Sequence, residues 1–569
     1  MIFLDFFPGG KHHSMVSSAP APGPAVLRGG ERSTMSTRPI LKNKTFLYMT
    51  EFFSGVAVMA VELGASRLLA PYFSSSQIVW TIIIGTIMIA MALGNLYGGR
   101  EADKDPNPDR LYRRILISAV WIALIPVVGK YIVLGVSAAL IFTVSTNFLI
   151  IAAFAACMVI FVFPLFLLGT VTPSLVKYAT DSLDHNGRIV GNLEAFNTVG
   201  SILGTFLPTF VTIPAVGTSV TFLIFSGILL ILGLVYFLSS KTGRRRCGAA
   251  AVAFLLCTVL GHTDSFAFWE PDLLYEGESI YNYLQVKETE DSVILSTNVL
   301  FGVQSVKQKD GGLTGMYYDT ALAAPLMAGV TEKEDFSMLI LGMGSGTYAT
   351  QCREYFGPGP EIEGVEIDQD ITDLAREYFD LPEDVTVTTY DGRAYLQAMD
   401  KHYDVIMVDA YQDITIPFQM STVEFFSLVA DHLTEDGVMV VNMNMHSDGE
   451  GSINAHLSDT ISSVFENVYT ADVPRTTNRE LFAWNGGDAL ESLKNGAGAT
   501  PHADLREMME DVSERLTPYE AGDLRLTDDK APVELLGMDV IDTLIQDEVA
   551  LYRDIYEEEG LSGVIDSLL

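Results

Sequence analysis

Cysteine is scarce in this chain of 569 residues: four in all, Cys157, Cys247, Cys257 and Cys352, with no metal-ligand spacing and three of them in or beside apolar segments. That excludes a disulfide framework and a cysteine-based metal site as organising devices. Basic residues are scarce where the chain is most polar. Residues 264–569 hold 16 Lys and Arg against 60 Asp and Glu, a balance of −44, whereas the residues before them hold 19 against 11, or +8. Binding nucleic acid through its phosphates needs Lys and Arg to displace counterions, so the acidic part excludes that partner. Cations are its natural guests, and a surface charge that serves only solubility is the competing reading. A convincing secretory signal is also missing, because the opening MIFLDFF is interrupted by Asp5 and ends at Pro8. Residues 1–44 read as a disordered or non-native tail, with Met35 as an alternative start.

Apolar residues are abundant. They make up 49% of the chain, which is too much for an ordinary soluble protein of this size. Apolar segments of spanning length recur at 46–70, 78–98, 115–140, 147–170, 189–214 and 218–238. A seventh segment, 248–261, is short for a crossing unless its flanks extend it, so a membrane domain of six to seven helices is expected over 45–262. Basic residues cluster before the first segment (Arg38, Lys42, Lys44), after the second (Arg100, Lys104, Arg110, Arg113, Arg114) and after the sixth (Lys241, Arg244, Arg245, Arg246). The positive-inside rule puts these in the cytoplasm. If 248–261 crosses the bilayer the polar half lies outside the cell, and if it does not, that half stays inside. Glu51, Glu62 and Glu194 fall within apolar segments and are functional candidates at such depth, the competing reading being structural ion pairs such as Glu62 with Arg67.

After Trp269, short apolar runs alternate with helical stretches, the pattern of an α/β fold. The apolar strand Phe336–Leu341 runs into Gly342, Gly344 and Gly346, glycines that let the backbone turn sharply and approach a ligand. A second strand, 362–365, ends at Glu366 and Asp368, about where the ribose-binding acid of a nucleotide fold sits. A third ends at Asp391 and Gly392, and a fourth, buried strand ends at Asp409. Ligands of open α/β sheets gather at the carboxyl ends of strands, so these acids converge on one crevice. Any one of them alone fits a loop cap. Acids at three successive strand ends after a glycine loop argue for a site.

The motifs GMGSG, VEID, YDG and YDVIMVDA, followed by Ile416–Phe426, resemble the core of spermidine synthases that binds S-adenosylmethionine (AdoMet). The resemblance extends back through Ser279–Val286, Val303-Gln304 and Tyr317–Asp319 and forward to Thr527–Glu534, while ELGASRLLAPY (62–72), Val79-Trp80, Gly99-Arg100 with Asp103, and GNLEAFNTVG (191–200) are similar to the fused form with a multi-span membrane segment. It implies an α-helical membrane domain, a small β region over 263–330 and a Rossmann-like AdoMet-dependent transferase domain over 331–569 with a helical C-terminal end. It also implies transfer of an aminopropyl group from decarboxylated AdoMet to a putrescine-type polyamine in a multi-pass cell-membrane protein. The implied cosubstrate residues are Gly342, Gly344, Gly346, Glu366 on the ribose, Asp368, Asp391 near the adenine, and Gly392. Asp409 would be the catalytic acid-base group, and Tyr281, Asn282, Gln304, Tyr317, Asp319, Gln412 and Asp413 would meet the substrate. The implied partners are a small-molecule amine and the lipid bilayer, and a homodimer is left open. The chain departs from the family in three places: Ser345 replaces the acid of GGGDG, Gln412 replaces the second acid of DSSD with Asp413 one residue later, and Tyr318 and Asp319 stand where YHE has His and Glu. Two alternatives therefore stay open: AdoMet-dependent transfer of another group such as methyl, and a polyamine or cation transporter or sensor with a non-catalytic domain.

Overall fold

The computed structural model describes residues 39–555 apart from 74, 141–143, 145–146, 181–185, 264, 271–272, 300–302, 411–415, 445–448, 450, 539, 541–545 and 547–554. Most of the expected tail, Gln412, Asp413 and nearly all of the chain after 538 lie outside the described residues.

Three long helices open the apolar half: α1 (Lys44–Phe73), α2 (Gln77–Lys104) and α3 (Pro108–Leu140). The expected fourth segment is divided at Phe161 into α4 (Phe148–Ile160) and α5 (Val162–Gly169), and α6 (Val171–Ala179) follows beyond its end at Thr170. The fifth and sixth join in one helical run of 54 residues, Asn186–Ser239, one of five stretches long and apolar enough to cross a membrane among the described residues. At ~1.5 Å per residue that run is about 80 Å long, against ~30 Å for a hydrocarbon core, so it cannot be a single crossing. It divides at a π-helical turn, Pro208–Thr212, into α7 (Asn186–Leu207) and α8 (Ile213–Ser239), with Gly217 at a non-helical φ of 77°. α7 lies against α1 because it carries glycines: a Cβ on Gly200 or Gly204 would come within 2.1 or 2.2 Å of the Phe52 and Val56 carbonyl oxygens. The seventh segment is α9 (Arg244–Leu260), packed through Cys257 on Ala123 and Leu223.

The two ends of this helical bundle differ. At one end Arg110 pairs with Glu101 and Asp105, Lys177 with Asp103, Arg114 with Glu101, and Tyr236 donates to Asp109. At the other end the polar half is docked: the Tyr72 hydroxyl donates to Phe266 O (3.0 Å), Lys130 Nζ to Ser265 O (2.5 Å), Val299 N to Pro71 O (3.0 Å) and Thr218 N to Glu278 Oε2 (3.0 Å). Glu62 and Arg67 are not joined among the described ion pairs, because Arg67 reaches into the polar half instead. Glu51 joins helices, accepting from Thr172 Oγ1 (2.6 Å) on α6 and Asn197 Nδ2 (2.8 Å) on α7.

The polar half begins with a four-stranded antiparallel sheet, β1 (Leu273–Glu278), β2 (Tyr283–Glu288), β3 (Ser292–Ser296) and β4 (Ser305–Gln308). Two short helices follow, α10 (Tyr317–Ala321) and α11 (Ala323–Met327). A second sheet then forms from β5 (Ser337–Leu341), β6 (Glu361–Glu366), β7 (Thr386–Thr389), β8 (Tyr403–Val408), β9 (Leu433–Met443), β10 (Asn467–Asp472), β11 (Arg479–Trp484) and β12 (Thr517–Pro518). Its order is β12-β10-β11-β9-β8-β5-β6-β7, parallel from β5 to β9 and antiparallel at β10, β11 and β12. Helices α12 (Thr347–Phe356), α13 (Gln369–Tyr378), α14 (Gly392–Ala398), α15 (Val423–Asp431) and α16 (Ile453–Ser462) follow β5 to β9, and α17 (Ala489–Ala499) and α18 (Ala503–Arg515) come last. Every residue of β8 is buried, which explains its unbroken apolar character. The order reverses at β5, where one connection goes out to β6 and another back to β8, so a crevice opens beyond the carboxyl ends of these strands.

Candidate active site

A cavity opens at this reversal point, walled by the glycine loop, Glu366, Asp391, Asp409 and the turn at Tyr281 and Asn282. The loop after β5 is tied to the next strand by bonds from Gly342 N (2.9 Å) and Met343 N (3.2 Å) to Val365 O. Gly342 has a φ of 86°, and a Cβ there would lie 2.5 Å from Asp409 O and 2.6 Å from Ala410 Cα. Only glycine permits that approach, which sets the glycine loop against the end of β8. Gly344 N donates to Glu366 Oε2 (3.0 Å), and Asp368 N donates to its other oxygen (3.1 Å). Burial pushes the Glu366 carboxyl above its ordinary range against these two backbone bonds.

Asp409 closes the other side. Its Oδ2 accepts from the Tyr317 hydroxyl (2.6 Å) and its Oδ1 from Asn442 Nδ2 (2.9 Å). Burial outweighs both bonds and raises the carboxyl from 3.8 to about 7, with the charge of Glu366 adding to the rise. Asn442 is oriented in turn by Asn478 Nδ2, which donates to its side-chain oxygen (2.9 Å). The Tyr318 ring lies 4.0 Å from that of Tyr317, and its hydroxyl donates to Gln304 O (3.0 Å). A carboxylate so placed can orient an amine and accept its proton.

The structure brings Gly342, Gly344, Glu366, Asp391, Gly392, Asp409, and likewise Tyr281, Asn282 and Gln304, to the cavity wall, with Tyr317 in contact through Asp409. Besides Tyr317, three expected residues among those described are not on the wall. Asp319 is 2% exposed and is held inside the fold by Thr314 N (2.9 Å), Gly315 N (2.6 Å) and Gln351 Nε2 (2.7 Å), so it fixes the approach to α10. Asp368 accepts from Ser279 Oγ (2.5 Å) and Asn282 Nδ2 (3.0 Å) and caps α13, supporting the wall from behind. Gly346 turns the chain into α12 beside Leu381 at a φ of 79°. Ser345 is fully buried and shares a 2.9 Å hydrogen bond with Thr347 Oγ1.

Asn442, Asn478 and Glu480 had no part in the expected site. Glu480 pairs with Asn442 across β11 and β9, is fully buried, and neither of its carboxyl oxygens has a partner among the described residues. Burial first, and then the charge of Asp409, push it well above the ordinary carboxylate range. The sequence offers little signal for it, since Glu480 stands beside Arg479 at the start of β11, ahead of the apolar residues 481–484.

The Spermine/spermidine synthase domain family matches residues 318–483. A probable polyamine aminopropyl transferase of Bifidobacterium longum is 57% identical over 349 residues, 58% of this chain and 77% of that relative. A polyamine aminopropyltransferase of Vibrio vulnificus is 27% identical over 275 residues, 47% of this chain and 85% of that relative. A solved structure of a probable spermidine synthase from Corynebacterium glutamicum aligns at 20% identity with a TM-score of 0.34, covering 44% of this chain and 96% of the other.

Proposed function

The chain belongs to the polyamine aminopropyltransferase family, a family of transferases, and from that premise we propose a membrane-bound enzyme that moves an aminopropyl group from decarboxylated AdoMet to a putrescine-type amine. The observation that carries the proposal is Asp409, held by Tyr317 and Asn442 against a glycine loop that shares its cavity with Glu366. Glu366 takes the ribose hydroxyls, the backbone of Gly342 and Gly344 admits the nucleoside, and Asp391 lies toward the adenine. The amine nitrogen attacks the aminopropyl carbon beside the sulfonium. The new N–C bond forms as the C–S bond breaks, its electron pair neutralises the sulfur, and methylthioadenosine leaves. The proton lost by the amine passes to Asp409. Acids around the cavity favour the approach of two cations.

Five stretches of sufficient length and apolarity among the described residues support the membrane-bound reading. Glu51, tied to Thr172 and Asn197, has the contacts of a group that joins helices, which weighs against a transport pathway through it. Methyl transfer from AdoMet is the second reading, favoured by Ser345 where the family has an acid. Full-length protein given decarboxylated AdoMet and putrescine should release methylthioadenosine. Release of S-adenosylhomocysteine from AdoMet instead would establish the second reading. Asp409→Asn should cut turnover by about 10²- to 10⁴-fold and leave cosubstrate binding in place; unchanged turnover would remove Asp409 from its role.

A further inference from the structure

The turn between β1 and β2 forms part of the cavity wall through Tyr281 and Asn282, and it is gripped from the membrane half. Arg67, near the end of α1, donates from Nη1 to Ser279 O (3.2 Å) and from Nη2 to Ile280 O. One residue earlier, Glu278 accepts from Thr218 N (3.0 Å) and Thr218 Oγ1 (2.8 Å), beside the break at Gly217 in α8. Inside the turn, Ser279 Oγ accepts from Tyr281 N (3.0 Å) and Asn282 N (2.9 Å) while donating to Asp368 Oδ2 (2.5 Å). Asp368 N bonds Glu366, and Glu366 receives Gly344 N. A continuous chain of hydrogen bonds therefore runs from a helix of the membrane domain to the glycine loop.

Building on the reading of this cavity as a nucleoside site, we propose that Arg67 is a positioning residue for the cosubstrate. A guanidinium bridges two successive carbonyls as a fork, whereas an ammonium is a single point donor. Loss of Arg67 frees the turn, loosens Asn282 and Ser279 on Asp368, and so disorders the support of Glu366. In full-length protein in detergent, Arg67→Ala should raise both the KM for decarboxylated AdoMet and the Kd for methylthioadenosine about tenfold, with kcat and the KM for putrescine changed by less than about twofold. Arg67→Lys should fall between, and added methylguanidinium should recover binding in Arg67→Ala. A fall in kcat in proportion to the folded fraction, with KM and Kd unchanged, would mean that Arg67 only holds the fold and would overturn the proposal. Arg67→Lys at wild-type Kd would do the same if Arg67→Ala fails to fold. If the wild-type protein binds neither nucleoside, the reading of the cavity falls, and this inference falls with it.

The distribution of charge along the bundle carries a second inference independently. Lys104, Arg110, Arg113, Arg114, Lys177 and Arg244–Arg246 lie at the end away from the docked polar half, and α9 runs from that end to the other, where Gly261 lies against Pro126 and Val127. We infer that the catalytic domain faces the non-cytoplasmic side, since an excess of Lys and Arg marks the cytoplasmic ends of spans. This rests on the membrane-bound reading, and it requires a carrier for the cationic cosubstrate. The four native cysteines are buried, so introduced ones can be read singly. With a membrane-impermeant maleimide, Lys530→Cys should label in intact cells and Lys104→Cys only after permeabilisation. The reverse pattern, or no labelling of Lys530→Cys in intact cells, would overturn the orientation, and recovery of the chain in the soluble fraction would overturn the membrane reading itself.

Discussion

Replacing Asp409 with asparagine tests the chemistry through its pH dependence as well as its rate. In the unliganded site the carboxyl is raised from 3.8 to about 7, chiefly by burial. A shift of that size corresponds to about 4 kcal/mol between the protonated and ionised forms. The folded-state value lies above the unfolded one, so the folded protein holds the extra proton between about pH 4 and 7, and the associated stability is lost as pH rises through that window. For catalysis the consequence is a requirement for the ionised form. kcat/KM for the amine should therefore rise with pH through a limb near 7, separate from any limb caused by deprotonation of the amine itself. With both cationic substrates bound, their charges favour the ionised carboxyl, and the limb in kcat should move to lower pH. Asp409→Asn should reduce kcat by about 10²- to 10⁴-fold and abolish the limb, with the Kd for methylthioadenosine nearly unchanged. Initial rates of methylthioadenosine release from pH 5.5 to 9 provide the assay. A wild-type profile with no limb near neutrality, or a limb that survives in Asp409→Asn, would refute the assignment.

Three further substitutions probe the same construction. Tyr317→Phe removes the 2.6 Å bond that favours the ionised carboxylate, so the limb should shift to higher pH with the fold retained; a shift to lower pH would contradict the assigned direction. Gly342→Ala places a methyl group 2.5 Å from backbone at a φ of 86°, and should cost about 1–3 kcal/mol from the strained backbone alone and abolish nucleoside binding, as read by thermal melting and calorimetry. Glu480→Gln removes a buried acid whose proton is held more tightly in the folded state. The wild type should lose stability as pH rises from the ordinary carboxylate range toward the raised value, and this loss should shrink in Glu480→Gln; equal slopes of melting temperature with pH in the two proteins would count against it.

The crevice of glycine loop and strand-end acids was legible because its parts are local. A buried strand followed by a glycine loop, and acids at the ends of the next strands, declare their positions by order alone, since parallel strands point their carboxyl ends one way. Direction of side chains was not legible in the same manner. Asp319, in α10, is consumed by Thr314, Gly315 and Gln351, and Asp368, the cap of α13, by Ser279 and Asn282. Asn442 and Glu480 come together only through the antiparallel pairing of β9 with β11, a contact that no local pattern encodes. In the apolar half, hydropathy separated the segments on either side of Gly217 and ended one at Thr170, but it could not mark the division at Phe161, which leaves composition as it was. The seventh segment read as short because its first turn is Arg244–Arg246.

Burial acts in one direction on the acids at and behind the cavity. Glu366, Asp409 and Glu480 are all pushed toward their protonated forms, and the largest cause in each case is burial. An ionised cluster at that depth would be expensive without counter-charges, which is why each shift is toward the neutral form. In the proposed reaction a sulfonium and an ammonium would bring counter-charges to Glu366 and Asp409 on the cavity wall. The exposed acids of the same half, with a balance of −44 over residues 264–569, contribute differently: they raise the concentration of cations at the surface without being desolvated. Attraction and recognition are thus divided between two sets of carboxylates. On the proposed reading, Ser345 in place of the loop acid removes only one of several acids, and meeting the amine falls to Asp409.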